Sequence, residues 1–239
     1  MKMENNNLNK MTENIRKAFR LLYQYQHCMQ SLVEYAKSKY GFEDKTVGYK
    51  RFSNPIRRTR YYNNDNYIYD ANLEISGLWA WDYLYSYEFE YFMGLKKIKK
   101  EVNVSCVDKT ASMSIIQVSD TGYYLKENAD ATNIETFETV EKSKSILIFV
   151  CEITDEKTNS NWDSLGFLND KIHILSSSEE DSIWEQYGDN PELGFFAKRY
   201  DIEDFCNQPS TDSKLRDFSD LLYNKTKVRL LQNIDNTKE

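Results

Sequence analysis

The residues best equipped for chemistry lie between Lys45 and Tyr62, in KTVGYKRFSNPIRRTRYY, where six cations are interleaved with four aromatics and no acid occurs. Guanidinium groups pair with phosphate oxygens through two parallel hydrogen bonds, and aromatic rings stack on unpaired bases. Lys50, Arg51, Arg57, Arg58, Arg60, Tyr61 and Tyr62 are therefore the candidate binding residues for a polyanion. A second basic cluster, Lys96, Lys97, Lys99 and Lys100, would extend that surface if it lay on the same side. The competing reading is an exposed basic loop that pairs with acids of the C-terminal half, within one chain or across a dimer.

Carboxylates supply a weaker constellation. An apolar run ending near Ile153 leads into Glu152, Asp155, Glu156 and Lys157. Acids and a lysine at a strand end are what a metal-dependent nuclease uses to hold Mg²⁺ and steady the attacking water. Asp155-Glu156-Lys157 resembles the last part of a PD-(D/E)xK nuclease motif, but no preceding acid stands at a matching position, and an ordinary charged turn is the better reading. His173 with Asp170 has the composition of an acid/base pair, although a histidine in such an apolar run is usually structural. His27, beside Cys28, reads as a packing or surface residue.

Other chemistries are excluded by what is missing. The sequence holds no HExxH and no CxxC, and its two histidines are too few for most histidine-rich metal sites. No two of the eight glycines stand two, four or five positions apart, so there is no GxGxxG fingerprint, no GxSxG elbow and no Walker A loop. Nothing in the sequence calls for a cofactor or a metal.

Composition sets the frame for these residues. A net charge of −7 disfavours general coating of nucleic acid. The charge is uneven: residues 1–100 carry 17 Lys and Arg against 11 Asp and Glu, and residues 101–239 carry 14 against 27. No apolar stretch approaches the roughly 18–20 residues of a membrane span, and the polar N-terminus lacks a signal-peptide core. The four scattered cysteines read as free thiols, with Cys106 and Cys151 buried in strands, so a cytoplasmic location is expected. Abundant Asn and Lys with only 8 Gly and 3 Pro is the usage of an AT-rich bacterial or phage genome.

The elements that must position these residues begin with a helix from about Asn9 to Tyr40. Met11, Ile15, Ala18, Leu22, Tyr25, Met29, Leu32 and Ala36 recur in steps of four and three and form one stripe, widened by Phe19 and Val33. Gly41 is placed to follow its end. The stripe suits packing on the protein's own sheet. Its seven-residue repeat also fits a coiled-coil seam, although Ala18, Tyr25 and Ala36 are mediocre seam residues.

Residues 42–66 read as irregular. Period-two alternation then predicts strands at 67–75 and 79–91, paired as a hairpin around Gly77, with the aromatics Trp79 to Tyr91 on the core side. Further strands are expected at 101–107, 112–118, 123–126, 145–153, 171–175 and 193–200. Helices are expected at 177–187 and from Thr211 onward. The run 145–153 is apolar almost throughout, as in a strand buried on both faces. Strands in the middle and helices at the ends argue for an α+β fold: a mainly antiparallel sheet packed by a long N-terminal amphipathic helix and shorter C-terminal helices.

The expectation is one domain over 1–239, with about eight N-terminal and five C-terminal residues disordered. It would be a non-enzymatic interaction or accessory protein of bacterial or phage origin, of a kind that would suit a host–phage conflict system. Its partner would be another protein or a second copy, with nucleic acid as a further candidate through 45–62 and no membrane partner. The alternative is a nucleic-acid-binding protein or metal-dependent nuclease using that segment with Glu152 and Asp155.

Overall fold

The nearly unbroken apolar run Ile146–Thr154 forms a strand whose first eight residues are all buried, and a strand buried on both faces must lie inside a sheet. The computed structural model, which describes residues 5–50, 59–63, 66–70, 87–100, 107–155, 158 and 165–231, places it there. Its strands are β1 (Val47–Lys50), β2 (Thr59–Asn63), β3 (Asn66–Asp70), β4 (Glu88–Lys100), β5 (Val107–Val118), β6 (Ile146–Thr154), β7 (Ser182–Gln186) and β8 (Gly194–Asp201). Six of them form one sheet in the order β1-β4-β5-β6-β8-β7, and every neighbouring pair is antiparallel. β2 and β3 pair separately, with Asn63 opposite Asn66.

The helices are α1 (Asn5–Tyr40), α2 (Gly122–Leu125), α3 (Leu165–Ser177) and α4 (Gln208–Thr226). α1 and α4 cover one face of the sheet. Met29, Val33, Ala36 and Tyr40 of α1 join Leu215, Phe218 and Leu222 of α4 over Tyr91, Met113, Phe149 and Phe196. α3 covers the other face, where Leu168, Ile172 and Leu175 meet Ile148, Val150 and Phe195. The result is the α+β fold expected, with helices on both sides of an antiparallel sheet.

Gly41, at φ +69°, follows α1 as predicted, and the Phe42 amide closes the helix end on the Lys37 carbonyl at 3.2 Å. β4 carries a bulge between Phe92 and Gly94. Gly94 has φ +106°, and a Cβ there would stand 2.4 Å from the Asp44 side chain, whose carboxylate accepts the Leu95 amide at 2.9 Å. The bulge shifts the alternation of β4, so its strand runs on to Lys100 after the aromatic pattern has ended.

Several local expectations are corrected. Residues 42–66 are not wholly irregular: Val47–Lys50 adds an edge strand to β4, and 59–63 pairs with 66–70. β3 therefore pairs with β2, while residues 71–86 of the hairpin expected around Gly77 lie outside the described residues. The strands expected at 101–107 and 112–118 are represented by one strand from Val107, with 101–106 outside the described residues.

Of residues 123–126, the first three lie in a helical turn and only Lys126 is extended. The Asp120 carboxylate accepts the Gly122 amide at 2.7 Å and starts a helical turn that buries Tyr124. Residues 171–175 are helical because Leu168, Ile172 and Leu175 share the buried side while Ile174 is exposed, a spacing that fits 3.6 residues per turn. Residues 182–186 are a strand. The acids preceding them do not open a helix; Asp181 holds Lys198 of β8 at 2.5 Å.

Candidate functional site

The apolar stripe of α1 keeps one spacing along 36 residues but meets two environments. Over the last three turns it is packed: Val33 is 2% exposed and Ala36 is fully buried. Tyr40 donates to the Leu215 carbonyl at 2.9 Å, and Tyr35 donates to the Asp212 carboxylate at 2.7 Å, with Lys39 at 3.3 Å from the same acid. These contacts join α1 to α4. Toward the N-terminus the stripe continues with its side chains exposed, and no described residue is packed over it. Leu8, Met11, Ile15 and Leu22 are exposed, and Phe19 and Tyr23 reach 70% and 72%.

A polar network marks the root of this overhang. Gln26 donates to the Tyr91 hydroxyl, which donates to the Gln117 side-chain oxygen at 3.0 Å. The Gln117 amide nitrogen in turn reaches Gln26 at 3.3 Å and Ser119 at 2.9 Å, and Ser119 donates to the Tyr25 hydroxyl at 3.4 Å. Burial raises the pKa of the Tyr25 hydroxyl. The network ties two consecutive helical residues to β4 and β5, so the docked part of α1 ends at Tyr25. At 1.5 Å per residue, the helix before it is about 30 Å long and, among the described residues, packs on no other element.

The sequence-predicted binding residues are distributed as follows. Lys50 ends β1, with Phe89 of β4 as its pairing partner. Arg60, Tyr61 and Tyr62 are consecutive on β2, opposite Tyr69, Ile68 and Tyr67 of β3. Arg51, Arg57 and Arg58 lie outside the described residues. From the second basic cluster, Lys96 donates to the Tyr40 carbonyl at 2.6 Å and so closes the C-terminal end of α1, where a cation complements the helix dipole. Burial lowers its pKa, with Glu43 opposing.

The carboxylate constellation is split. Glu152 is fully buried on β6, opposite Ser112 of β5, and accepts the Tyr187 hydroxyl at 2.7 Å. Asp155, just past the strand, accepts the Thr158 hydroxyl at 2.8 Å. Among the described residues no three His, Cys, Asp or Glu side chains are grouped so as to hold a metal ion. His173 is exposed on α3 and meets the Tyr124 ring edge-on at 5.5 Å. Two further buried acids share the α3 side of the sheet: Glu90 accepts from Ser114 at 2.7 Å, and Glu88 accepts from the Tyr124 hydroxyl.

The overhang was present in the sequence only as part of a longer stripe. Its one distinguishing signal was the pair of bulky residues outside the stripe, Leu21 and Tyr23, both strongly exposed, which widen the apolar surface of that half.

An antiparallel six-stranded sheet between helices, with the N-terminal half of one helix left exposed past its packed end, defines an α+β domain with a helical arm. A family model described as PM0109 matches residues 5–229, and the chain belongs to the PM0109 family. That match starts at the first residue of α1, so the arm belongs to the family's domain rather than to an appended tail. No curated protein and no solved structure matches the chain. No described helix is long and apolar enough to cross a membrane.

Proposed function

We propose that this chain is a non-enzymatic interaction protein that contacts another polypeptide through the projecting half of α1. One observation carries the reading: the apolar stripe that holds α1 to the body continues past Tyr25 with its large side chains in water. Single exposed apolar residues are ordinary, whereas a contiguous apolar patch of several hundred Å² marks a contact surface. Aromatic side chains at its centre strengthen the reading, because rings bury much area at little entropic cost.

A photo-crosslinking residue placed at Phe19 tests it, with one at Val140, itself 81% exposed on a loop, as the control. In cells that express the protein naturally, position 19 is expected to give a discrete protein adduct and position 140 none. Equal labelling at both positions, or no protein adduct at 19, refutes the proposal.

A further inference from the structure

Resting on that reading, we infer that the polypeptide covering the arm is a second copy of this chain, its α1 running antiparallel to the first. The chemistry of the arm is self-complementary. At about 100° of rotation per residue, Leu8, Met11, Ile15, Ala18, Leu22 and Tyr25 share one side of the helix. The only charged residues between positions 8 and 25 are Lys10, Glu13, Arg16, Lys17 and Arg20, and all fall on the opposite arc. The positions flanking the stripe are Thr12, Asn14, Phe19 and Leu21, which carry no charge. An identical arm therefore meets no like charge at the seam, although each arm carries a net positive charge on its far side.

The body dictates the direction. In a parallel pair the seam would continue into Met29, Val33 and Ala36, which are already buried against the sheet. In an antiparallel pair the two arms overlap along their exposed lengths and the bodies stand at opposite ends. A two-fold axis near the middle of the overlap sets Met11 opposite Leu22 and Ile15 opposite Ala18, and brings Leu8 to the outer rim of Tyr25, whose inner side the body already holds. The central layers then match Ile15 with the small Ala18, and Met11 with a Leu22 of nearly equal volume.

The area is sufficient. The exposed apolar side chains of one arm offer roughly 600–700 Å², so complete cover of both arms would bury at most about 1,300 Å², at the lower end of the roughly 1,200–2,000 Å² of a standard specific interface. A bilayer fits less well. In helices that lie on anionic lipid the cations sit beside the apolar face, whereas here Arg20 and Glu13 stand at the far pole of the helix.

Sedimentation equilibrium of the full chain, from 1 to 100 µM by order of magnitude for interfaces of this size, supplies the first test. The expected result is a concentration-dependent shift toward twice the 28.3 kDa monomer mass. Ile15→Glu and, separately, Ala18→Glu should weaken the association at least a hundredfold while leaving the far-UV circular dichroism of the body unchanged.

Direction is read by disulfide trapping between two differently tagged chains, both lacking Cys28, Cys106 and Cys206. Met11→Cys in one chain and Leu22→Cys in the other should join, whereas two Met11→Cys chains should not. A monomer throughout the concentration range overturns the inference. If position 19 still crosslinks to a different protein, the interaction reading survives and the second copy alone is lost. Preferential trapping of Met11→Cys with itself overturns the antiparallel arrangement. A monomer that binds phosphatidylserine vesicles through the arm overturns the inference in favour of a lipid surface.

Discussion

Two truncations on the same stripe of α1 should have opposite consequences for the isolated chain. Val33 is 2% exposed beneath the helix, whereas Ile15 is 45% exposed beyond it. Val33→Ala removes two buried methyl groups, about 1.6 kcal/mol at roughly 0.8 kcal/mol per buried carbon. The void left in the core around Met29 and Tyr40 adds up to about 1 kcal/mol, for a total of about 1.6–2.6 kcal/mol. In a chain of this length that lowers Tm by about 5–10 °C. Ile15→Ala removes more carbon, but from a side chain already largely in water, and should cost less than about 0.5 kcal/mol when the arm is unpaired.

Thermal unfolding followed by circular dichroism at the lowest workable concentration, with both variants in parallel, measures the difference. As concentration rises, the Ile15→Ala deficit should grow, because pairing stabilises the folded state by mass action. Equal losses for the two variants at high dilution would refute the division of α1 at Tyr25. So would a Val33→Ala protein as stable as the parent.

Gly94→Ala should destabilise by about 1–3 kcal/mol, since φ +106° suits glycine alone and the new methyl would overlap Asp44; chemical denaturation at constant m-value reports it. The carboxyls of Asp212 and Asp181 are held below their ordinary value, the first by the Tyr35 hydrogen bond and then Lys39, the second by the Lys198 hydrogen bond. A depressed folded-state pKa means stability that is present above about pH 4 and lost as pH falls through the folded value. Asp181→Asn with Asp212→Asn should therefore flatten the acid limb of the stability–pH curve, and an unchanged limb would reject those pairs as its source. Burial raises the Cys151 thiol pKa, while Cys28 and Cys206 are exposed. A thiol reagent at neutral pH should modify the latter two in the native protein and reach Cys151 only after unfolding, as peptide mapping by mass spectrometry would show.

The elements legible in the sequence were those whose pattern matched their own environment. α1 has a sustained helical repeat, and β6 has a run apolar enough to require burial on both faces. The elements misread were short ones with an ambiguous period. In Lys171–Leu175 the alternation of Ile172 and Ile174 imitates a strand, and only Leu168, one turn earlier, reveals the helical side that faces the sheet. Ser182–Gln186 became a strand because β8 offered a free edge, and no local feature of five residues announces that partner.

The candidate site posed the same difficulty. Leu22 and Met29 occupy equivalent positions of one repeat, so spacing cannot say which is covered. The difference lies in the sheet, where Tyr25 meets Ser119 just past the end of β5. The basic segment 45–62 was conspicuous by composition, yet composition did not reveal that Lys50 ends an edge strand or that Arg60 lies in a separate hairpin.

A helix that serves the core at one end and reaches into solvent at the other separates two evolutionary constraints on a single element. Substitutions after Tyr25 are filtered by whether the body folds; those before it are filtered only by what the arm must meet. If the arm is the contact surface proposed above, members of the PM0109 family could change partners by altering about five turns of helix without repacking any sheet residue. They can also lengthen or shorten the arm by whole heptads, since seven residues restore the stripe to nearly the same azimuth. Divergence among relatives should therefore be steepest in the first half of α1, with apolar character retained at Met29, Val33, Ala36 and Tyr40.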